Sequence, residues 1–291
     1  MRIATWNVNS LKARLERVEQ WLARTAPDVI LMQETKLADK DAPHAVFEKL
    51  GYTLAHHGQG RWNGVAIASK VGLEDVQVRF GDPPGDSEAG DSDPLHEARI
   101  IAARCGGVRV VSLYAPNGRA VASPFYEAKL GWFDRLARWL AASDTADIVL
   151  GGDFNIAPDD RDVWDPKACH GGTHVSDRER AAFARLLASG LIDAYRTHHD
   201  EPERYSWWDY RAGDFYKNVG MRIDHFLAGT NVAKRIVAVE IDREARKGKP
   251  TPSDHAPLTL DLDAPGLPFD PGWDGARERI AARRAKAKAK A

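Results

Sequence analysis

Six short strings place chemistry-bearing side chains beside apolar runs. They are Trp6-Asn7-Val8-Asn9, Gln33-Glu34-Thr35-Lys36, Tyr114-Ala115-Pro116-Asn117-Gly118, Gly151-Gly152-Asp153-Phe154-Asn155, Arg222-Ile223-Asp224-His225 and Ser253-Asp254-His255-Ala256-Pro257. Taken one at a time, an Asp or Asn at a strand end is most often a turn former or a cap. Together they hold the parts needed to hydrolyse a phosphodiester. Magnesium prefers hard oxygen ligands and keeps several waters, so one or two carboxylates suffice. Glu34 can supply the main one. A water must also be oriented and deprotonated in line with the leaving oxygen. Asp153 is placed for that, and Asn155, two residues on, faces the same side of an extended segment. Asp254-His255 beside the distant Asp224 suggests an imidazole oriented by a carboxylate, next to a phosphate oxygen.

These strings need elements to bring them together. Ile3 to Asn7 reads as a strand, and Leu11, Leu15, Val18 and Leu22 recur at helical spacing before Pro27. Val29 to Met32 is an apolar strand that delivers Gln33 and Glu34. A short helix follows near 43–50, then strands near 52–56, 64–69, 76–80, 98–104 and 108–114. The acidic, Gly/Pro-rich stretch 81–98 reads as a solvated loop. A helix is expected from Pro124 to Ala142, a strand over Ile148 to Leu150, and a helix over 176–189 with Ser176 and Glu179 as a capping box. Strands near 222–228, 236–242 and 257–262 close the chain. Strands come in runs rather than alternating strictly with helices. That predicts two packed sheets flanked by helices, not a barrel of βα units.

Composition sets the outer limits. The chain has 291 residues, enough for one large domain, and 43% are hydrophobic, enough for a sizeable core. Residues 1–264 are expected to form the catalytic domain, and 265–291 a Pro/Gly linker and basic tail. From Gly275 to the end, Arg277, Arg279, Arg283, Arg284, Lys286, Lys288 and Lys290 face only Glu278, which leaves the rest of the chain net acidic. The tail reads as frayed helix or disorder, a solvated appendage with weak attraction to DNA. No apolar run approaches the roughly 18 residues of a membrane span. The start, Met1-Arg2-Ile3-Ala4-Thr5-Trp6, lacks the apolar stretch of a signal peptide, and two cysteines are too few for a disulfide framework. A cytoplasmic, nucleoid-associated monomer without an obligate protein partner is expected.

The longer strings carry a specific resemblance. Leu31-Met32-Gln33-Glu34-Thr35-Lys36, Tyr114-Ala115-Pro116-Asn117-Gly118, Ser206-Trp207-Trp208-Asp209-Tyr210 and Asn218-Val219-Gly220-Met221-Arg222-Ile223-Asp224 resemble the exonuclease III family of abasic-site endonucleases. That family lies within the DNase I-like endonuclease/exonuclease/phosphatase superfamily. The resemblance runs from about Arg2 to Leu262. It implies a four-layer α/β sandwich, two mixed sheets flanked by helices, with the site at one sheet edge. It implies Asn7 and Glu34 at a magnesium site, with Asp254 near and Asp153, Asn155 and His255 completing that side; manganese is a possible substitute. It gives Asp153 the nucleophilic water, with Asn155 beside it, and Tyr114 the reacting phosphate or leaving group. His255, paired with Asp224, would neutralise phosphate or act as the base. Asn117 is assigned to phosphate, Trp62 and Met221 to entering the DNA, and Trp207 and Ile223 to the walls of a sugar pocket. Apart from the resemblance, Arg119 reads either as a phosphate contact or as a surface salt-bridge former. Asn9 stands where some members have Asp, and Met221 where some have Trp. The partner implied is double-stranded DNA with abasic sites or blocked 3′ ends.

Two other readings compete. A sibling enzyme acting on phospholipid or inositol phosphates is opposed by the tryptophan-containing string before Asp224 and by the lack of membrane-facing segments. A catalytically dead DNA-binding module would have lost one of Glu34, Asp153, Asn155, Asp224 or His255, and all are present. His56-His57 and His198-His199 read as solvated pairs, and one of Trp207 and Trp208 as core.

Overall fold

The computed structural model describes residues 1–81 and 94–288. Most of the acidic stretch expected as a loop therefore lies outside the described residues. The strands are β1 (Arg2–Asn7), β2 (Val29–Gln33), β3 (Thr53–His57), β4 (Val65–Ser69), β5 (Glu74–Val78), β6 (Ile100–Cys105), β7 (Val108–Tyr114), β8 (Ile148–Asp153), β9 (Ile192–Asp193), β10 (Asp224–Ala228), β11 (Ile236–Ile241) and β12 (Leu258–Leu262). The helices are α1 (Leu11–Thr25), α2 (His44–Lys49), α3 (Pro124–Ala141), α4 (Pro166–Cys169), α5 (Asp177–Ala188), α6 (Asp214–Lys217), α7 (Thr230–Ala233) and α8 (Ala276–Lys288).

Two six-stranded sheets form, ordered β11-β12-β1-β2-β4-β3 and β5-β6-β7-β8-β10-β9. Each has one central parallel pair, β1 with β2 and β7 with β8, flanked by antiparallel partners. Period-2 alternation explains the layers. Ile3, Val29, Leu31, Val65 and Ile67 of one sheet meet Ile101, Val110, Val149 and Phe226 of the other. The opposite faces carry Trp6, Ile30 and Met32 towards α1 and α2, and Val111, Leu113 and Leu150 towards α3 and α5. The result is the expected helix–sheet–sheet–helix sandwich. Under the site the interior turns polar. Gln33 Nε2 donates to Thr5 Oγ1 and to Ser112 Oγ, both at 3.0 Å, which ties the two sheets together.

Most predicted elements recur with shifts of a residue or two, and the Ser176–Glu179 capping box is present. β9 escapes a periodicity reading because two residues carry no period. The tail differs from the free appendage expected. Trp273, Ala276 and Ile280 are buried in the core cluster that holds Trp208 and Phe215. Trp273 Nε1 donates to Ile241 O at 2.8 Å. Three apolar residues at spacings of three and four give α8 a docking stripe that the surrounding Arg and Lys obscure.

Candidate active site

The topology brings the six strings to one edge. Parallel pairing sets Asn7 beside Gln33 and Tyr114 beside Asp153. β10 runs antiparallel to β8, so Asp224 at its start lies opposite Asp153. β12 runs antiparallel to β1, so the chain enters it from the same edge, just after His255. Beyond the strand ends the backbone turns sharply: Asn9, Glu34 and Asn155 have φ of 43°, 51° and 51°. A positive φ is uncommon outside glycine, and such backbone often accompanies functional sites. The glycines before Asp153 allow close approach. A Cβ on Gly151 would lie 2.7 Å from Leu31 Cδ1, and one on Gly152 would lie 1.9 Å from Leu113 O.

Glu34, Asp153 and His255 each present a ligand atom, all within 4.8 Å of one another. Asn7 Nδ2 bridges the two carboxylates, donating to Glu34 Oε1 at 2.8 Å and Asp153 Oδ2 at 3.0 Å. Lys36 Nζ lies 2.9 Å from Glu34 Oε2. Asp153 Oδ1 accepts the Asn155 N–H at 2.9 Å. His255 Nδ1 lies 2.9 Å from Asp224 Oδ2, while its Nε2 lies 3.8 Å from Asp153 Oδ2. Ser206 Oγ donates to Asp224 Oδ2 at 2.6 Å and accepts the N–H groups of Ile223 and Asp224. These groups open on a cleft of about 170 Å³, lined also by Tyr114, Asn117, Asn155, His174, Trp207, Ile223 and Asp254.

Electrostatics separates the roles. Burial raises the Asp153 carboxyl well above the usual range; Asp224 and Glu34 push the same way and His255 opposes. Burial would lower His255, but Asp224 and Asp153 overcome it and hold the imidazole protonated, at about 10. Burial, with Lys129 adding, pushes His174 down to about 4, so it is neutral at pH 7. Burial, with Glu34 next, keeps the Tyr114 hydroxyl protonated. The donor set suits a hard divalent cation: crowded carboxylate oxygens lose repulsion when a cation sits between them.

The structure brings some predicted residues together and sets others apart. Glu34, Asp153 and His255 meet in one cluster, in which the two carboxylates are the candidate metal ligands and the protonated His255 is a neighbouring cation. Asn7 touches it through nitrogen; its Oδ1 accepts the Asn9 N–H at 3.0 Å, so its amide must turn over to serve a metal. Asp254 is occupied elsewhere, accepting from Asn9 Nδ2 at 2.9 Å and Trp207 Nε1 at 3.1 Å. Asn155 Nδ2 donates to Ala115 O, and Asn117 Nδ2 donates to Asn155 Oδ1 at 3.3 Å. Trp207 and Ile223 line the cleft, whereas Trp208 is fully buried core. Met221 packs half-buried against Val163, Val175 and Ile223. Trp62 is 62% exposed, and the Arg119 guanidinium lies 3.5 Å from the Phe125 ring centre.

One expectation is corrected. His56 is not solvated: its ring is buried between Thr35 Oγ1 and Asp39 Oδ1, both at 2.8 Å, because β3 turns that side chain inward. His199 is likewise engaged, stacked on Tyr195 at 4.4 Å. Sequence reading passed over His174, Ser206 and Lys129. Only Ser206 lay in a quoted string.

Comparison with known proteins shows the family and the fold of the chain. The model of the endonuclease/exonuclease/phosphatase family matches residues 4–255. Exodeoxyribonuclease III of Haemophilus influenzae is 34% identical over 275 residues, covering 89% of this chain and 98% of that protein. The solved structure of a 3′ phosphatase from Neisseria, bound to a product DNA hairpin, superposes with a TM-score of 0.83 at 39% identity, covering 91% of this chain and 100% of that one. An AP endonuclease from Archaeoglobus fulgidus gives 0.82 at 35% identity, with 91% and 100% covered.

Proposed function

This chain belongs to the exonuclease III and abasic-site endonuclease family, hydrolases of DNA repair, and on that premise we propose that it breaks the P–O3′ bond in double-stranded DNA, at 3′ termini and on the 5′ side of abasic sites, with magnesium as cofactor. The observation that carries this is the meeting of Glu34, Asp153 and the His255–Asp224 pair on one narrow cleft. Removal of a 3′-phosphate, removal of a 3′ nucleotide and incision beside an abasic sugar all free a 3′ hydroxyl by the same bond cleavage. They differ only in what hangs from the far side of the phosphate, so one site serves all three. The 3′ phosphatase and the AP endonuclease among its relatives support both ends of that range.

Bound at Glu34 beside Asp153, magnesium would supply positive charge to a phosphate oxygen; manganese suits the same ligands. Asp153 accepts the proton of the attacking water, and Asn155 beside it fixes the carboxylate through the N–H to Oδ1. The water oxygen bonds to phosphorus as the phosphorus–O3′ bond breaks, the electron pair of that bond leaves on O3′, and O3′ takes a proton from solvent to end as a hydroxyl. His255, held protonated by Asp224, presents positive charge to a second phosphate oxygen. Tyr114 offers a protonated hydroxyl to the phosphate or the leaving oxygen. Trp207 and Ile223 wall the side of the cleft where a sugar without a base can enter.

Three duplexes test this: one ending in a 3′-phosphate, one intact with a recessed 3′ end, and one with a single abasic analogue. Each is incubated with and without magnesium. Magnesium-dependent release of a 3′ hydroxyl from all three is expected; hydrolysis of none overturns the proposal, and an intact recessed end left uncut would remove the exonuclease part of it. Glu34→Gln should shift the magnesium titration to higher concentration far more than it weakens DNA binding. An unchanged titration would remove Glu34 from the metal site.

A further inference from the structure

Behind the cleft wall lies a fully buried ion pair that none of the chemistry above uses. Lys129 of α3 and Glu179 of α5 have no exposed side-chain surface, and Lys129 Nζ lies 2.5 Å from Glu179 Oε1. The ammonium's other partners are main-chain carbonyls: Asn155 O at 2.7 Å and Asn117 O at 3.3 Å. Glu179 in turn accepts the N–H of His174 at 3.0 Å, and the Ser176 N–H and hydroxyl at 3.2 and 2.6 Å. His174 Nδ1 meets the same Asn155 carbonyl at 2.6 Å. Three loops that contribute cleft-lining side chains, those of Asn117, Asn155 and His174, therefore converge on one buried pair.

We propose that the Lys129–Glu179 pair positions the phosphate-facing wall of the cleft. The assignment rests on the catalytic reading above. Burying two charges is a poor way to gain stability; an apolar pair of similar volume is often as stable or more so. What an apolar pair cannot do is hold two carbonyl oxygens. Lys129 draws the oxygens of Asn117 and Asn155 back from the cleft, where their partial negative charge would oppose a phosphate. It also holds Asn155 in its left-handed conformation, φ 51°, which sets the N–H that fixes Asp153. The signal in the sequence was faint, because a lysine on an amphipathic helix is ordinarily read as reaching out to solvent.

The test is the double replacement Lys129→Met with Glu179→Leu in the full chain, beside Lys129→Arg, which keeps the cation. Wild type is first assayed on the three duplexes above, so failure of the catalytic reading shows there alone. Hydrogen exchange of the 115–119 and 154–157 amides is then compared between variant and wild type, which needs no substrate. Displacing reacting groups by about 1 Å can cost roughly a hundredfold in rate. The double variant loses the α5 capping box and the acceptor of the His174 and Ser176 N–H groups, so its melting temperature should fall by a few degrees. Assayed at a temperature where it is fully folded, it should bind DNA within about threefold of wild type. It should exchange faster at those amides and lose at least tenfold in kcat on whichever duplex wild type cleaves. Lys129→Arg should recover part of the kcat. A folded double variant with wild-type exchange overturns the proposal. If the double variant does not fold, Lys129→Arg decides: kcat and melting temperature falling in proportion would leave the pair a purely structural brace and overturn it too.

Discussion

Asp153 and His255 face each other across 3.8 Å, and each is pushed towards holding a proton. The two are not equivalent. His255 has Asp224 on its Nδ1 side, so its charge is anchored from behind. Asp153 receives N–H donors from Asn7 and Asn155, and these, with the His255 charge, favour the anion against its burial. Asp153 is therefore the group able to take a proton from water, and His255 the group able to keep one. Asp153→Asn preserves shape and removes the base, so turnover should fall by roughly 10²–10⁴ while DNA still binds. Retention of more than a tenth of the activity would count against this role. Trp207 bears on selectivity. Its indole is half-buried, bonded to Asp254 and packed beside Ile223. Swinging out a sugar that has lost its base costs less than swinging out a normal nucleotide, and a tight slot adds a steric penalty against the latter. Trp207→Ala should raise cleavage of intact duplex relative to abasic duplex with little change in melting temperature. A stable variant with an unchanged ratio would mean that Trp207 does not read the sugar.

The element that delivers Asp224 depends on a buried arginine next to it. Arg222 is fully buried, with Nε 2.7 Å from Asp162 Oδ1 and Nη2 2.7 Å from Asp193 Oδ2. The pair joins the loop before α4 to the end of β9 and to the start of β10. Burial opposes the Asp162 anion, but Arg222 and Arg196 outweigh it and hold its carboxyl down to about 2. A carboxylate depressed in the folded state contributes stability above its unfolded pKa, and that contribution is lost as pH falls through the folded value. Stability should therefore drop between about pH 4 and pH 2 in wild type, and part of that acid slope should vanish in Asp162→Asn. The substitution leaves a buried guanidinium short of a partner, so it should cost roughly 3–5 kcal/mol at neutral pH. Denaturant melts at pH 7 and pH 3 measure both; equal losses at the two values would mean that folding does not depress the Asp162 carboxyl. This network shows where sequence reading ends. The strand ends were legible because polar strings break apolar runs, and two sheets followed from strands in runs. Asp162, Asp193 and Lys129 were not legible, because a buried charge is defined by partners far apart in the chain. Asp162 lies sixty residues from Arg222 in the sequence.

At the scale of the whole molecule, the two sheets repeat one pairing pattern and close a continuous core. The acidic body then has to meet a polyanion. Positive charge at the cleft is local: Lys36 is spent on Glu34, and Arg119 lies on Phe125. The largest run of uncompensated cations in the sequence is the C-terminal segment, and the fold divides it in two. Trp273, Ala276 and Ile280 anchor α8 in the core, so Trp273→Ala should cost roughly 3–5 kcal/mol. Beyond that anchor, Arg283, Arg284, Lys286, Lys288 and Lys290 follow with no acid among them. Cations that neutralise phosphates release counterions, and each such contact steepens the fall of affinity with salt by a slope of roughly 0.9. Truncation after Ala282 keeps the docking stripe and removes those cations. The melting temperature should hold, the salt dependence of DNA binding should flatten, and single-turnover cleavage at saturating DNA should stay near wild type. An unchanged salt slope would show that the segment does not reach the duplex. A matching fall in the cleavage rate would make it part of the active site rather than a tether that raises the local concentration of DNA.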